Sequence, residues 1–431
     1  MPDPLLPPGQ RISRTERDLM NWKMIRILDT YGGVPLLYLL RCLRGACSAA
    51  PRPQQPFEYK KILLIKFWGI GNIFMLLPSI SALKQRYPHA AIDLLTLKSN
   101  TDAALSTNVF FRVFTIDAKG LVSFVATTLR TLKLLQQQEY DCIIDFEQFA
   151  KFSAIFTALI GKKATVGFHT QGKHRHFFYS FPVAYDNNVH ITRSYFALAH
   201  AAGADNALFG AAPLLAGNAG SMAPGRGILD KLGIRPERVV IVMHVGTSDN
   251  FKERRWPAAS YATLANLLIE HQDVQIVMTG LREEGELAAE IRGMIRAAAP
   301  VVLDAVGALN FNEYRLLLQM CDLIISADTA PVHLASAAGT PVVGLYGPNT
   351  PHLYGPWGGN SIAFYHQLDC SPCITNFNAK IHTCRHPEGR GACMKRISPE
   401  EVYTKVVDRY FEQNSIHRLK KLAQREHVSS T

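Results

Sequence analysis

No stretch of this 431-residue chain is apolar for long enough to cross a bilayer, which takes roughly 20 residues. The longest early run, "GGVPLLYLL" at residues 32–40, is broken by Pro35 and closed by Arg41. The opening "MPDPLLPPGQ" has no basic stretch ahead of an apolar core, so it does not read as a secretory leader. Together these absences lead to the expectation of a cytoplasmic protein. Charge is also scarce. Asp, Glu, Lys and Arg make up 19% of the chain against 48% hydrophobic residues, which excludes a disordered polymer. The charge that is present is uneven, with 46 Lys and Arg against 35 Asp and Glu, a formal net of +11. That balance favours anionic partners such as phosphorylated small molecules or an acidic membrane surface. No aromatic-basic recognition motif gathers the cations, which are spread along the chain, so nucleic acid is not expected as a partner.

The length implies two domains plus extensions. Residues 1–58 form a basic extension in which Arg and Lys mix with Trp22, Ile25, Leu36, Leu37 and Leu39. Such a segment either lies on an anionic membrane face or packs on the body of the protein. From residue 59 to 209, apolar runs alternate with helical stretches: strands at 61–67, 91–97, 113–117, 140–147 and 164–168, and helices at 72–87, about 120–138 and 151–161. Residues 210–227, "GAAPLLAGNAGSMAPGRG", read as a linker. The alternation restarts over 228–413, with strands at 238–246, 274–280, 321–328 and 341–347. Its helices are 257–271 with Pro257 at the first position, an acidic helix from Glu283, 331–338, and a last helix opened by the capping box Ser398–Glu401. Residues 414–431 trail off as a basic tail. Continuous apolar strands alternating with helices predict α/β units with parallel sheets buried on both faces. Two doubly wound halves would face one another across a cleft, with ligands beyond the carboxyl ends of the strands.

The residues after each strand are therefore the candidates. After the strand 321–328 come Asp328, Thr329 and Ala330 at a helix start, with His333 one turn on. Backbone N–H groups there suit a diphosphate, although Asp328 or Thr329 can equally be a simple helix cap. The next strand ends in "LYGPNTP", with Gly347 and Pro348. "HVGTSDNFKERRWP" supplies Gly246, Thr247 and Ser248, then Lys252, Arg254 and Arg255 before Trp256. Small hydroxyls and cations suit phosphate oxygens. "MTGLREEGE" supplies Gly280, Glu283 and Glu284, where a carboxylate can take the two hydroxyls of a ribose. In the first half, "GIGNIF" follows the strand "KILLIKFW" and carries Gly69, Gly71 and Asn72, while "YDCIIDFE" ends in Asp145 and Glu147.

The series "GIGN…LP", "HVG…RRWP" and "ADTAPVHLASAAGTPVVGLYGP" closely resembles glycosyltransferase family 9, the lipopolysaccharide heptosyltransferases and their relatives, over about residues 60–410. The resemblance implies the GT-B fold of two Rossmann-like domains, with a nucleotide-diphospho-sugar donor, typically an ADP-heptose, held by the C-terminal one. It implies an inverting, metal-independent transfer to a lipid-linked or lipopolysaccharide core acceptor at the cytoplasmic face of the membrane. Asp328, Thr329 and His333 would lie at the donor with Gly347 and Pro348 nearby, and Arg254 or Arg255 would face the diphosphate. One position departs from the pattern: well-known relatives carry Asp, the proposed general base, where this chain has Asn72. Either Asp145 or Glu147 takes over proton removal, or Asn72 orients the acceptor while a donor phosphate oxygen or water takes the proton, or the protein binds without turnover. A nucleotide-sugar epimerase is the alternative enzyme. No cofactor is expected. The cluster Cys370, Cys373, Cys384 and Cys393, with His382 and His386 among them, can hold zinc, stay reduced or form disulfides. The spacing of its second pair is not that of a common zinc ribbon.

Overall fold

The computed structural model describes residues 28–43, 58–161, 163–210, 215, 222–235, 237–247, 249–297, 301–374 and 384–412. The first 27 residues, most of the expected linker, Ser248, His382 and the basic tail lie outside these. Contacts divide the chain into two units. The first runs through Gly69 and takes in Ser79–Tyr185 and Tyr195–Phe209; the second holds Ile70–Pro78, Asp186–Ser194 and the chain from Gly210 onward.

The first unit contains six strands: β1 (Lys61–Ile65), β2 (Ala91–Leu97), β3 (Arg112–Ile116), β4 (Cys142–Asp145), β5 (Ala164–His169) and β6 (Phe181–Ala184). They pair in the order β3-β2-β1-β4-β5-β6, all parallel. Helix α1 (Gly33–Leu43) precedes β1; after it, interleaved with the strands, come α2 (Ile70–Met75), which belongs to the second unit, α3 (Leu77–Arg86), α4 (Thr101–Ser106), α5 (Leu121–Gln136), α6 (Lys151–Ile160) and α7 (Ile191–Ala201). Strands β1 and β4 are buried along almost their whole length, as central strands covered on both faces must be. The core on one side joins Leu63, Ile65, Leu95 and Ile143 to Leu135, Phe156 and Ile160.

The second unit repeats the plan with β7 (Val239–His244), β8 (Val274–Thr279), β9 (Val302–Asp304), β10 (Leu323–Ala327), β11 (Val342–Tyr346) and β12 (Ser361–Tyr365). Their order is β12-β11-β10-β7-β8-β9, again parallel throughout. Its helices are α8 (Met222–Leu232), α9 (Ala258–His271), α10 (Gly285–Met294), α11 (Phe311–Met320), α12 (Ala330–Ala338), α13 (Pro351–Tyr354), α14 (Ala392–Lys395) and α15 (Pro399–Val406). Both sheets thus have the 3-2-1-4-5-6 order. In each, the strand order reverses between the first and fourth strands, which places the ligand-binding crevice of such sheets at β1/β4 and at β7/β10.

Four local expectations are corrected. The helix expected over 72–87 is two helices, because Pro78 has no N–H to donate and its ring crowds the preceding turn. Pro257 is the N-cap of α9 rather than its first residue. The expected acidic helix begins as a 3₁₀ turn, Arg282–Glu284, before α10. Helix α8 starts inside the stretch expected as linker. The capping box at α15 is as expected: the Ser398 hydroxyl accepts from the Glu401 N–H, and the Glu401 carboxylate accepts from the Ser398 N–H.

Candidate functional site

In the second unit Ser326 pairs with His244, so the residues leaving β7 and β10 emerge side by side. Thr329 is the N-cap of α12 in extended conformation, but its hydroxyl turns back to the Ala327 carbonyl and the Ser326 hydroxyl, each 3.1 Å away, instead of capping the helix. Asp328 is buried. Its Oδ2 accepts from Asn349 Nδ2 at 3.0 Å and lies 3.8 Å from Arg254 Nη1, which also donates to the Asp328 carbonyl at 2.9 Å. Asn349 in turn accepts from the Thr350 N–H at 3.0 Å. Three loops, those after β7, β10 and β11, are therefore tied at one carboxylate. A Cβ on Gly347 would come within 2.7 Å of Cys393 Sγ and of Met394 Sδ, so only glycine lets that segment pack against the end of β11. Pro348 accepts from the Ile374 N–H through its carbonyl.

The other expected donor residues divide. Thr247 is buried, and its hydroxyl has no hydrogen-bond partner. Its N–H donates to Glu284 Oε1 at 2.7 Å, and the Leu281 N–H donates to Oε2 at 2.7 Å. A Cβ on Gly246 would fall 1.8 Å from Glu284 Oε2, and one on Gly280 would fall 2.9 Å from it. Both glycines thus make room for a carboxylate that binds the β7 and β8 loops together, with Arg255 3.8 Å away. Glu283 and Lys252 are exposed. The strand-end pattern does not disclose the structural roles of Glu284 and Asn349. The capping-type spacing from Leu281 to Glu284 was the available signal for the first; nothing local marks the second.

Residues Ile70–Pro78 belong with this unit, and α2 lies along α12. Gly69 has φ +87°, a conformation that glycine adopts without penalty. Gly71 meets a different constraint. A Cβ there would sit 2.7 Å from His333 Cδ2 and 3.3 Å from Ala330 Cα. The second glycine of "GIGN" therefore serves the close approach of α2 to α12. Asn72 follows it, partly buried. His333 is buried, and its Nδ1 has no hydrogen-bond partner. Burial, with His190 nearby, pushes its pKa down to about 3, and burial pushes His244 down to about 4. Both stay neutral in the folded protein at pH values where an unfolded chain takes up the proton. The unfolded state then binds more protons, so stability falls as pH drops below about 6.5, by roughly 2 kcal/mol per histidine at pH 5. Urea unfolding followed from pH 7.5 to 5 should show this slope, and it should be shallower in His333→Gln.

In the first unit Ile65 pairs with Asp145, so the ends of β1 and β4 also emerge together. Here the crevice is filled from within. Glu147, buried, accepts from the N–H groups of Phe67 at 2.7 Å and Trp68 at 3.0 Å, and it pairs with the buried Lys66 at 3.2 Å. Asp145, fully buried, accepts from Arg175 Nη2 at 2.7 Å, the Tyr179 hydroxyl at 2.6 Å and the Glu147 N–H at 3.0 Å. Arg175 Nη1 donates to the Glu147 carbonyl. Burial raises the Tyr179 hydroxyl well above its usual range, so it remains a donor. With these partners Asp145 and Glu147 hold in place the loop that delivers "GIGN".

A family model described as glycosyltransferase family 9 (heptosyltransferase) matches residues 128–382, more than half of the chain. The protein belongs to glycosyltransferase family 9. Lipopolysaccharide heptosyltransferase 3 of Escherichia coli is 26% identical over 310 residues, 68% of this chain and 86% of that one. The crystal structure of a family 9 glycosyl transferase from Veillonella parvula DSM 2008 matches with a TM-score of 0.69 at 18% identity, over 85% of this chain and 100% of that one. The E. coli ADP-heptose lps heptosyltransferase II matches with a TM-score of 0.63 at 20% identity, over 82% and 100%. The architecture is thus GT-B, two Rossmann-like units in one chain.

The cysteine cluster of this glycosyltransferase borders the β11 loop. Cys370, Cys373, Cys384 and Cys393 are all thiols. Cys373 Sγ donates to the Cys370 carbonyl at 3.0 Å. Burial, together with the neighbouring thiols, raises Cys373 to about 12 and Cys393 to about 11. Among the described residues, no three His, Cys, Asp or Glu side chains converge to hold a metal ion. Nor is any described helix long and apolar enough to cross a membrane.

Proposed function

We propose that this enzyme transfers a heptose from an ADP-heptose-type donor to a lipid-linked lipopolysaccharide core acceptor, with inversion and without a metal ion. The observation that carries this is the tie at Asp328. An arginine, a buried carboxylate and an uncapped helix start meet at the β7/β10 switch point, the arrangement that suits a diphosphate leaving group. The similarity to the E. coli ADP-heptose enzyme supports the choice of nucleotide. In the reaction an acceptor hydroxyl attacks the anomeric carbon as the bond from that carbon to the phosphate oxygen breaks. Arg254 and the first turn of α12 stabilise the charge that builds on the departing diphosphate. Asn72 holds the acceptor hydroxyl by a hydrogen bond, and the proton leaves to a phosphate oxygen or to water. The internal bonding of Asp145 and Glu147 supports this route over one through either carboxylate.

Calorimetry with ADP-, UDP-, GDP- and dTDP-sugars tests the donor. ADP-heptose should bind, and ADP should be released only when acceptor is present, with EDTA making no difference. If no sugar nucleotide binds, the proposal fails; binding without release leaves a non-catalytic binder. Asn72→Asp introduces a titrating group at the acceptor. It should add an acid limb to the pH profile of kcat/KM in the carboxylate range, where the natural enzyme is flat.

A further inference from the structure

The first unit carries an apolar face that no packing among its described residues uses. Crossovers β3–α5–β4 and β4–α6–β5 run in one direction across the sheet, so the right-handed rule puts α5 and α6 on the same face. Helix α1 packs on α6 as well. Leu37 is buried against Ala154 and Ala158, and the Asp29 carboxylate accepts from the Phe152 N–H at 2.7 Å, which anchors α1 to the start of α6. The outer surfaces of these helices are apolar. On α5, Leu121, Val125 and Leu129 repeat every four residues beside Val122, which is 83% exposed. On α1, Leu36 and Leu39 are 40% and 55% exposed. An outward stripe on a surface helix is ordinarily polar, and contiguous apolar exposure marks an interaction site.

Charge selects the occupant. Neither α1 nor α5 contains an Asp or Glu. The exposed cations Arg41, Arg130 and Lys133 border the apolar residues, and Arg11, Arg14, Arg17, Lys23 and Arg26 lie in the chain just upstream. Exposed apolar side chains on helices that carry cations and no carboxylate match the headgroup and acyl boundary of an anionic lipid monolayer. We infer that the α1/α5 face of the first unit is the surface by which this protein docks on anionic membranes, with Val122, Val125, Leu129, Leu36 and Leu39 entering the interface. The inference deepens the reading of a lipid-linked acceptor by naming where the enzyme meets it. Its test needs no sugar nucleotide, so docking and transfer can fail independently.

The test is flotation of the full chain with vesicles of phosphatidylglycerol and phosphatidylethanolamine, against phosphatidylcholine alone. The natural protein should float with the anionic vesicles and stay behind with the zwitterionic ones. Val122→Asp/Leu129→Asp should weaken binding at least tenfold without changing the melting temperature, since both side chains are exposed. Arg130→Glu/Lys133→Glu should weaken it and remove its salt dependence in part. Unchanged binding in the Val122→Asp/Leu129→Asp protein overturns the inference, whether or not deletion of residues 1–27 abolishes binding, because the contact is then the basic segment or another surface. A concentration-dependent dimer that the same double substitution dissociates, with no vesicle binding by the natural protein, overturns it in favour of a second copy.

Discussion

Asp328→Ala is expected to lower affinity for the donor nucleotide about a hundredfold. The Asp328 carboxylate is buried between Asn349 and Arg254. Truncating it leaves Asn349 Nδ2 without this acceptor and removes the carboxylate that lies 3.8 Å from Arg254, which loosens the tie between the loops after β7, β10 and β11. Leaving a buried donor unsatisfied costs roughly 1–3 kcal/mol, and a hundredfold change in affinity corresponds to about 2.7 kcal/mol. Asp328→Asn keeps the side-chain shape but not the charge, and about a tenfold loss should follow. Arg254→Lys offers a point charge in place of a planar fork; it should resemble Asp328→Asn more than Asp328→Ala. Calorimetric titration with ADP measures all three. An Asp328→Ala protein that binds ADP as the natural one does would remove the diphosphate from the β7/β10 switch point.

The sequence makes this pocket legible because a strand end is a local feature. "SAD", "HVG" and "LYGP" each follow a continuous apolar run, and the parallel-sheet rule places the ends of such runs together. The central strands are legible for the same reason: β2, β4, β8, β10 and β11 are buried along nearly every residue. The edge strands β6 and β12 are not, because β6 alternates between partial and full exposure and β12 is only half-buried. Their apolar runs are short: Pro182 interrupts that of β6, and that of β12 is only Ile362–Tyr365. Helix α11 does carry a signal, the Asn310–Glu313 capping box, which is easily passed over beside the more conspicuous motifs. What no local pattern discloses is pairing at a distance. Nothing near Glu147 and Asp145 in the sequence announces that Lys66 and Arg175 lie against them. Arg175 is 30 residues from Asp145 in the chain, in a stretch with no marker that one of its several basic residues is fully buried.

That hidden arginine underlies the largest stability effect expected in the molecule. Arg175 and Asp145 are both wholly buried, 2.7 Å apart, and the same guanidinium reaches Tyr179 at 2.9 Å, Ser153 at 3.1 Å and the Glu147 carbonyl. Arg175→Met removes the cation and keeps most of the volume, which leaves the buried Asp145 carboxylate without its counter-ion. Breaking a buried pair from one side costs about 3–5 kcal/mol, and the lost bond to the Glu147 carbonyl adds to that. The transition of the first unit in scanning calorimetry should move sharply down, while that of the second unit should stay in place. Tyr179→Phe, which removes one neutral donor to the same carboxylate, should cost only about 1–3 kcal/mol. Arg175→Met/Asp145→Leu separates the pair's net worth from the cost of the orphaned charge. If the orphaned charge dominates, the double substitution should recover most of the loss, because replacing both ions of a buried pair by apolar groups is often close to neutral. The loop from Lys66 to Gly69 would then still fold, yet Glu147 would lack one of the groups that fix its backbone. ADP affinity should survive in that protein while the KM for acceptor rises, a split that places Arg175 behind the acceptor loop. An Arg175→Met protein as stable as the natural one would mean that the buried pair of Arg175 and Asp145 contributes nothing to the stability of the fold.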